Sequence, residues 1–148
     1  MRTEPAGKVL KVFISIKDED GQTKTLAKDE IALDINGVVD DKFYSKDPLR
    51  SILLSSIESY KIAEENSFDM LYGSLGENIL MDFNPYDLNV GDQLKIGTVV
   101  LEITQNCTLC KGLSKVDPKA PKLLKKHRGI FAKAVTVGRI AIGDTVYI

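Results

Sequence analysis

Cys107 and Cys110 stand three residues apart in the stretch VVLEITQNCTLCKGL, residues 99–113, and the chain has no other cysteine. A C-x-x-C at the end of an apolar, β-rich run admits four chemistries. It can be half of a zinc site, a dithiol redox pair, one functional thiol beside a bystander, or two small inert core residues. A structural zinc ion takes four ligands, ordinarily from two paired elements. The chain offers two Cys and the single His127 with no second pair, so the ligand count argues against zinc. A thioredoxin-type pair sits at a helix N-terminus, which stabilises the thiolate. A strand-like run does precede this pair, but Gly112 and SKVDP at 114–118 make a poor helix. Free cysteine is often simply buried and inert. A single reactive thiol wants cations nearby, because they favour the thiolate that ligates metal or carries sulfur. Lys111 and Lys115 flank the pair, and Arg128 follows. Those lysines are equally well read as a solvated face, so the residues alone leave the choice open.

Other polar residues could serve a site or merely shape a turn. Glu77 and Asn78 lie in the Gly-rich stretch YGSLGENILMDFNPYDL, residues 72–88. They can hydrogen-bond a ligand, or stabilise a turn, as Asn commonly does. Arg50 opens a strand-like run and can face an anion or solvent. Arg128 beside Gly129 is the better anion candidate, because glycine lets a backbone approach a ligand closely. His127 reads as a solvated member of KKHR. Asp40 and Asp41 form a carboxylate pair, but a polar turn after Asn36-Gly37 accounts for them more simply. Asp92 and Asp144 each follow a Gly at a strand start and read as turn residues.

The elements that must hold these residues are mostly strands. GKVLKVFISI (7–16), EIALDI (30–35) and RSILLSS (50–56) are rich in β-branched residues or alternate apolar with polar ones. Asp20-Gly21 and Asn36-Gly37 are turn signals. NVGDQLKIGTVVLEITQ (89–105) reads as two strands joined at Gly97, and 129–148 as two more. SSIESYKIAEEN (55–66) has helical spacing, with Ser55 and Glu58 at the interval of a capping box. DPKAPKLLKKHR (117–128) reads as a short basic helix opened by its prolines. VGDQLKI (90–96) and IGDTVYI (142–148) echo each other as a tight turn feeding a strand. Short strands with Gly turns and only two brief helices predict a mostly β, barrel-like single domain over 1–148.

Composition narrows the function. The 148 residues hold 20 basic and 21 acidic side chains, a formal net charge of −1, which gives no general attraction to nucleic acid or anionic lipid. At this length roughly two-thirds of the unfolded surface can be buried, so the fold needs neither disulfide nor metal. No apolar run has the length of a membrane span. The N-terminal residues lack the apolar core of a signal peptide, so the expectation is a cytoplasmic protein that engages neither membrane nor nucleic acid.

Several stretches taken in order resemble the MOSC domain family, the C-terminal domain of molybdenum cofactor sulfurases, also found as small stand-alone bacterial proteins. GENI (76–79) is similar to a Gly-Glu-Asn-Ile element of that family. DLNVGDQLKIGTVVLEITQ (87–105) resembles its Gly-Asp turn, Ile-Gly step and strand ending in Thr-Gln. TQNCTLCKGL (104–113) stands where relatives carry Thr-Gln and then a Cys. RGIFAKAVTVGRIAIGDTV (128–146) resembles the closing Arg-Gly-Ile and Gly-Asp pattern. The resemblance implies a MOSC-like β-barrel and aligns Cys110, not Cys107, with the family's cysteine. It implies that Cys110 either carries sulfur as a persulfide or ligates molybdenum on a bound pterin, the molybdenum cofactor (molybdopterin). Arg50, Glu77, Asn78, Lys111 and Arg128 would then line the cofactor site.

The sequence also departs from the family. Phe43 stands in GVVDDKF (37–43) where relatives often carry His, Cys107 where they carry Arg, and Leu109 where they carry Pro. Three functions follow as expectations. The first is a molybdenum-cofactor-binding or sulfur-carrier protein. The second is a molybdenum-dependent oxidoreductase that reduces N-hydroxylated bases or amidoximes. The third is a binding or scaffold module that kept the barrel and lost the chemistry. The expected partners are a sulfur donor, an electron-donor protein or a molybdoenzyme acceptor.

Overall fold

Alternation of apolar and polar residues produces the strands, and turns rich in Gly, Asp and Asn punctuate them. The computed structural model describes residues 4–67, 69–106, 124 and 129–148. Among these the strands are β1 (Pro5–Lys17), β2 (Thr23–Lys28), β3 (Glu30–Asp34), β4 (Gly37–Val38), β5 (Ile52–Ser56), β6 (Ile79–Met81), β7 (Gln93–Ile96), β8 (Val99–Asn106), β9 (Ile130–Ala134), β10 (Gly138–Ala141) and β11 (Thr145–Tyr147). One helix, α1 (Ile57–Glu65), follows β5. No helix among the described residues is long and apolar enough to cross a membrane.

The large sheet runs β11-β7-β8-β9-β5-β6-β1-β2, and β11 pairs back onto β1, so the ring closes and β2 hangs outside it. All its pairings are antiparallel except β5 with β6. Period-two alternation then sorts side chains to the inside and outside of the barrel. Ile52 and Leu54, Ile79 and Met81, Leu101 and Ile103, and Ile130 and Ala132 all belong to one buried core. A small sheet, β10-β3-β4, adds Ile31, Leu33, Val38 and Ile140 to that core. Helix α1 lies outside the wall, where Tyr60 and Ala63 pack with Phe13, Leu75, Leu80 and Leu124 in a second cluster.

The mostly β barrel expected from the sequence is what forms, with four local corrections. The N-cap of α1 is Ser56, whose side chain accepts from Glu58 N. Ser55 is still paired in β5, opposite Leu80, and cannot cap. Strand β5 starts at Ile52, not Arg50. The turn between β3 and β4 is Ile35-Asn36, because Gly37 already pairs with Asp34. Residues 130–148 hold three strands rather than two, because β10 leaves the barrel to join the small sheet. The second expected helix, 117–128, lies outside the described residues apart from Leu124.

The sequence echo has a structural counterpart. In each copy an Asp carboxylate accepts a backbone N–H three residues earlier, Asn89 to Asp92 at 2.8 Å and Ala141 to Asp144 at 2.9 Å. The two strands that follow, β7 and β11, pair with each other. Asp144 is the more enclosed of the two, and a Cβ on Gly97 would come within 2.7 Å of its carboxylate. Asp144→Ala is therefore expected to lower stability by about 1 kcal/mol, more than Asp92→Ala. Urea denaturation of both variants checks the order.

Candidate functional site

The candidate residues that the structure describes gather around one strand, β5. Its five residues, Ile52 to Ser56, and Ser51 before them are all buried, on the outer face as well as the inner. Ile52 and Leu54 point into the barrel core, so Leu53 and Ser55 point out. Leu53 forms a separate apolar contact with Phe131 of β9. Ser55 donates from its hydroxyl to Glu77 Oε2 at 2.8 Å.

Asn78 begins the path into β6, which lies between β5 and β1. Its backbone N–H donates to Leu53 O and its carbonyl accepts from Phe13 N, each at 2.8 Å. Its side chain repeats that bridge. Oδ1 accepts from Leu53 N at 3.0 Å, and Nδ2 donates to Phe13 O and to Asp41 Oδ1, each at 3.2 Å. Asp41 in turn accepts from Ser15 N at 2.6 Å and from Phe43 N at 3.0 Å. Asn78 and Asp41 are both buried. The amide of Asn78 is thus committed to joining strands, and Asp41 is half of that joint rather than of an Asp40–Asp41 pair. Asp40 is exposed in the left-handed region, φ 72°.

Glu77, one residue earlier, is only 1% exposed. Tyr60 of α1 donates its hydroxyl proton to Glu77 Oε2, the same oxygen that Ser55 reaches. Gly73 N–H donates to the Tyr60 oxygen at 3.1 Å, and Tyr72 meets the Tyr60 ring edge-on at 5.0 Å. Glu77 Oε1 has no hydrogen-bond partner among the described residues. Burial pushes the Glu77 carboxyl above the ordinary carboxylate range, against the opposing bonds from Tyr60 and Ser55. Burial, followed by the charge of Glu77, also raises the Tyr60 hydroxyl, so Tyr60 stays a neutral donor.

Arg50 is exposed, just before β5, with its guanidinium 4.9 Å from the Phe131 ring centre. It makes no ion pair among the described residues, where only Lys133–Glu102 and Arg139–Glu30 are bridged. Thr104 holds the chain just before Arg50 by donating to Leu49 O at 2.6 Å. Phe43 is half-exposed with the Lys42 ammonium over its ring.

Cys107, Cys110, Lys111, His127 and Arg128 lie outside the described residues. The points where their stretch joins the wall are described. Asn106, the last residue of β8, pairs with Ile130, the first of β9. Gly129 has φ +128°, and a Cβ there would come within 2.8 Å of Leu53 Cδ1 and 3.2 Å of Leu54 O. Leu124 is fully buried in the cluster that holds Tyr60 and Leu75. Strands β6 and β9 flank β5, about 10 Å apart at usual strand spacing. Gly129 therefore enters the wall on the opposite side of β5 from β6, the strand that Glu77 and Asn78 lead into.

The described residues contain no group of three or more His, Cys, Asp or Glu side chains able to hold a metal. Among the described residues, a cleft of about 520 Å³ is walled by Tyr60 and Tyr72, and one of about 540 Å³ lies between β2 and β3; neither is lined by Arg50 or Glu77. The contacts of Ser55 and Tyr60 with Glu77, and the burial of Leu124, are what sequence reasoning missed; Ser55 was read as a helix cap. Tyr60 was legible only as a member of an apolar helix face, and nothing local announces where its hydroxyl goes.

The family model described as MOSC domain matches residues 44–147. No curated protein matches the chain in sequence. Among solved structures the chain is similar to the YuaD protein from Bacillus subtilis, with a TM-score of 0.79 at 19% identity, over 99% of this chain and 97% of that one. It is also similar to YiiM from Geobacillus stearothermophilus, with a TM-score of 0.72 at 18% identity, over 96% of this chain and 75% of that one. For YiiM from Escherichia coli the TM-score is 0.68 at 16% identity, over 95% of this chain and 69% of that one. At these identities the likeness is one of fold.

Proposed function

Because the chain belongs to the MOSC domain family, which is associated with the molybdenum cofactor, we propose that it binds that cofactor or carries sulfur for it through the Cys110 thiolate. One observation supports the reading: Asn106 and Gly129, the described residues on either side of the stretch that holds Cys110, meet the wall at the start of β9, where the exposed cation Arg50 lies over Phe131 with no carboxylate partner among the described residues. A cation so placed fits an anionic pterin phosphate, which a guanidinium can bind with two parallel hydrogen bonds. Lys111 and Arg128 would add positive charge on the same stretch, favouring the thiolate. Glu77 and Asn78 are buried and support the wall from beneath. The cofactor, when bound, would supply a redox-active metal centre, and a thiolate is a suitable soft ligand for it. The sulfur or electrons would come from a partner protein.

The test is molybdenum and pterin content per chain after expression in a cofactor-producing host. Wild type is expected to retain both, and Cys110→Ala to lose at least about tenfold in molybdenum affinity, the scale on which even outer-shell changes act at metal sites. Arg50→Ala should reduce pterin retention and leave the fold intact. Wild type purified empty, with Cys110 no more reactive toward sulfur donors than a free thiol, would sink the proposal.

Phe43 favours a second reading, a binding module without catalysis of its own. A phenyl ring with Lys42 above it can shield or stack, but it cannot move a proton as an imidazole can. In this reading the wild type binds cofactor yet, loaded and supplied with an artificial electron donor, reduces no amidoxime or N-hydroxylated base. Turnover of either substrate would instead favour the oxidoreductase.

A further inference from the structure

Glu77 is a buried acid to which neither reading above gives chemistry. It sits at the junction of three elements. Ser55 reaches it from β5, Tyr60 from α1, and Gly73 of the 72–78 loop holds the Tyr60 oxygen from the other side. No Lys, Arg or His among the described residues contributes to its environment. The charged side chains of α1, Glu58, Lys61, Glu64 and Glu65, lie on its exposed face. The nearby Asp41 is turned toward Ser15, Phe43 and Asn78. From β1 the neighbour of Tyr60 is the phenyl ring of Phe13, and Leu124 packs in the same cluster. A carboxylate here would carry full charge at 1% exposure, favoured by the backbone N–H groups of Glu77 and Gly73 but with Oε1 lacking a hydrogen-bond partner among the described residues.

We infer that the Glu77 proton controls the packing of Tyr60 and Leu124, so that the outer apolar cluster is tight when Glu77 is neutral and loosens when the proton leaves to bulk water. The neutral acid needs no counter-charge and leaves Oε2 free to accept from Tyr60 and Ser55. The anion needs water at Oε1, because an unpaired buried charge is far costlier than an open seam. Admitting water there disturbs Tyr60, which donates to the other carboxylate oxygen and packs in the same apolar cluster as Leu124.

The sign follows from linkage. Burial raises Glu77 above its ordinary value of 4.5. Its contribution to stability is therefore fully present below that value and is lost as pH rises through the folded value. The Tyr60 and Ser55 bonds pull the other way, so removing either should move the transition to higher pH.

The experiment follows the methyl resonances of Leu124 in leucine-labelled protein by NMR, from pH 4 upward as far as the fold survives. Wild type is expected to show a Leu124 shift change whose midpoint lies above the usual carboxylate range. Glu77→Gln should abolish it, and Ser55→Ala should move it to higher pH. A Leu124 signal that does not change with pH overturns the inference. So does a titration that persists unchanged in Glu77→Gln, or a midpoint unmoved in Ser55→Ala. If Glu77→Gln does not fold, Ser55→Ala and Tyr60→Phe decide the matter by the direction of the midpoint. None of these readings uses the cofactor. A flat Leu124 signal therefore leaves molybdenum retention standing, and an empty protein leaves the titration standing.

Discussion

Asn78→Ala is expected to destabilise the protein by about 3 kcal/mol, at the upper end of what an ordinary substitution does. The amide is the only side chain described that bonds to β5 and β1 at once, through Leu53 N and Phe13 O, while also donating to Asp41. Its removal leaves the Leu53 N–H and the Phe13 carbonyl buried with fewer partners, and each such group costs about 1–3 kcal/mol. Asp41→Ala should cost a similar amount, because it strips the Ser15 and Phe43 N–H groups of their acceptor. The two residues share a bond at 3.2 Å, so the double variant should lose less than the sum, by about 1 kcal/mol. Asn78→Asp is the sharper probe. It keeps the shape but sets an acceptor against Asp41 where a donor stood. Urea denaturation measures all four. With a slope of about 1–3 kcal/mol per molar, the midpoint for Asn78→Ala should fall by at least about 1 M. A loss below 1 kcal/mol, or strict additivity, would mean that the joint is not structural.

Gly129→Ala should be nearly as damaging, for a different reason. At φ +128° a side chain is strained whatever the space around it, and here there is no space. The contact at Leu53 Cδ1 can relax by a side-chain shift, but the one at Leu54 O involves the β5 backbone, paired to β9 at Leu54↔Ile130. Strain of about 1–3 kcal/mol and crowding of about 1–3 kcal/mol act together. Gly91 separates the two effects. It has φ +92° and nothing within 4 Å of an added Cβ, so Gly91→Ala carries strain alone. Gly129→Ala should lose about 2 kcal/mol more than Gly91→Ala. Equal losses would show that the approach of residue 129 to β5 is loose.

What could be read from the sequence was what depends on near neighbours. The β7–β8 hairpin was legible because alternation on both sides meets at Gly97, and the turn pairs Ile96 with Val99. The turn character of Asp92 and Asp144 was legible because each bonds a backbone group three residues away. The Ser55–Glu58 spacing misled because a capping box is a local pattern, while the true cap was decided by β5 pairing with β6. For the site, Asn78 and Asp41 were noted separately, but nothing in periodicity brings residues so far apart in the chain together. Glu77 was noted for its loop, yet its burial comes from Tyr60, a partner on another element. The departure of β10 into the small sheet was invisible for the same reason: β9, β10 and β11 look alike along the chain and differ only in whom they pair with.

The seam at which β11 joins both β1 and β7 has a consequence for how the protein is made. Lys8 pairs with Thr145, and Val146 with Ile96, so the ring cannot shut until the strand at Thr145 has left the ribosome. Until then β1 and β7 each carry an unpaired edge, the kind of surface that recruits stray strands. Closing so long a loop costs more entropy than closing a hairpin, though the cost rises only slowly with length, and non-local pairing of this kind slows folding. Ring closure should thus be a late, all-or-none step, and the growing chain should be most prone to aggregate just before it.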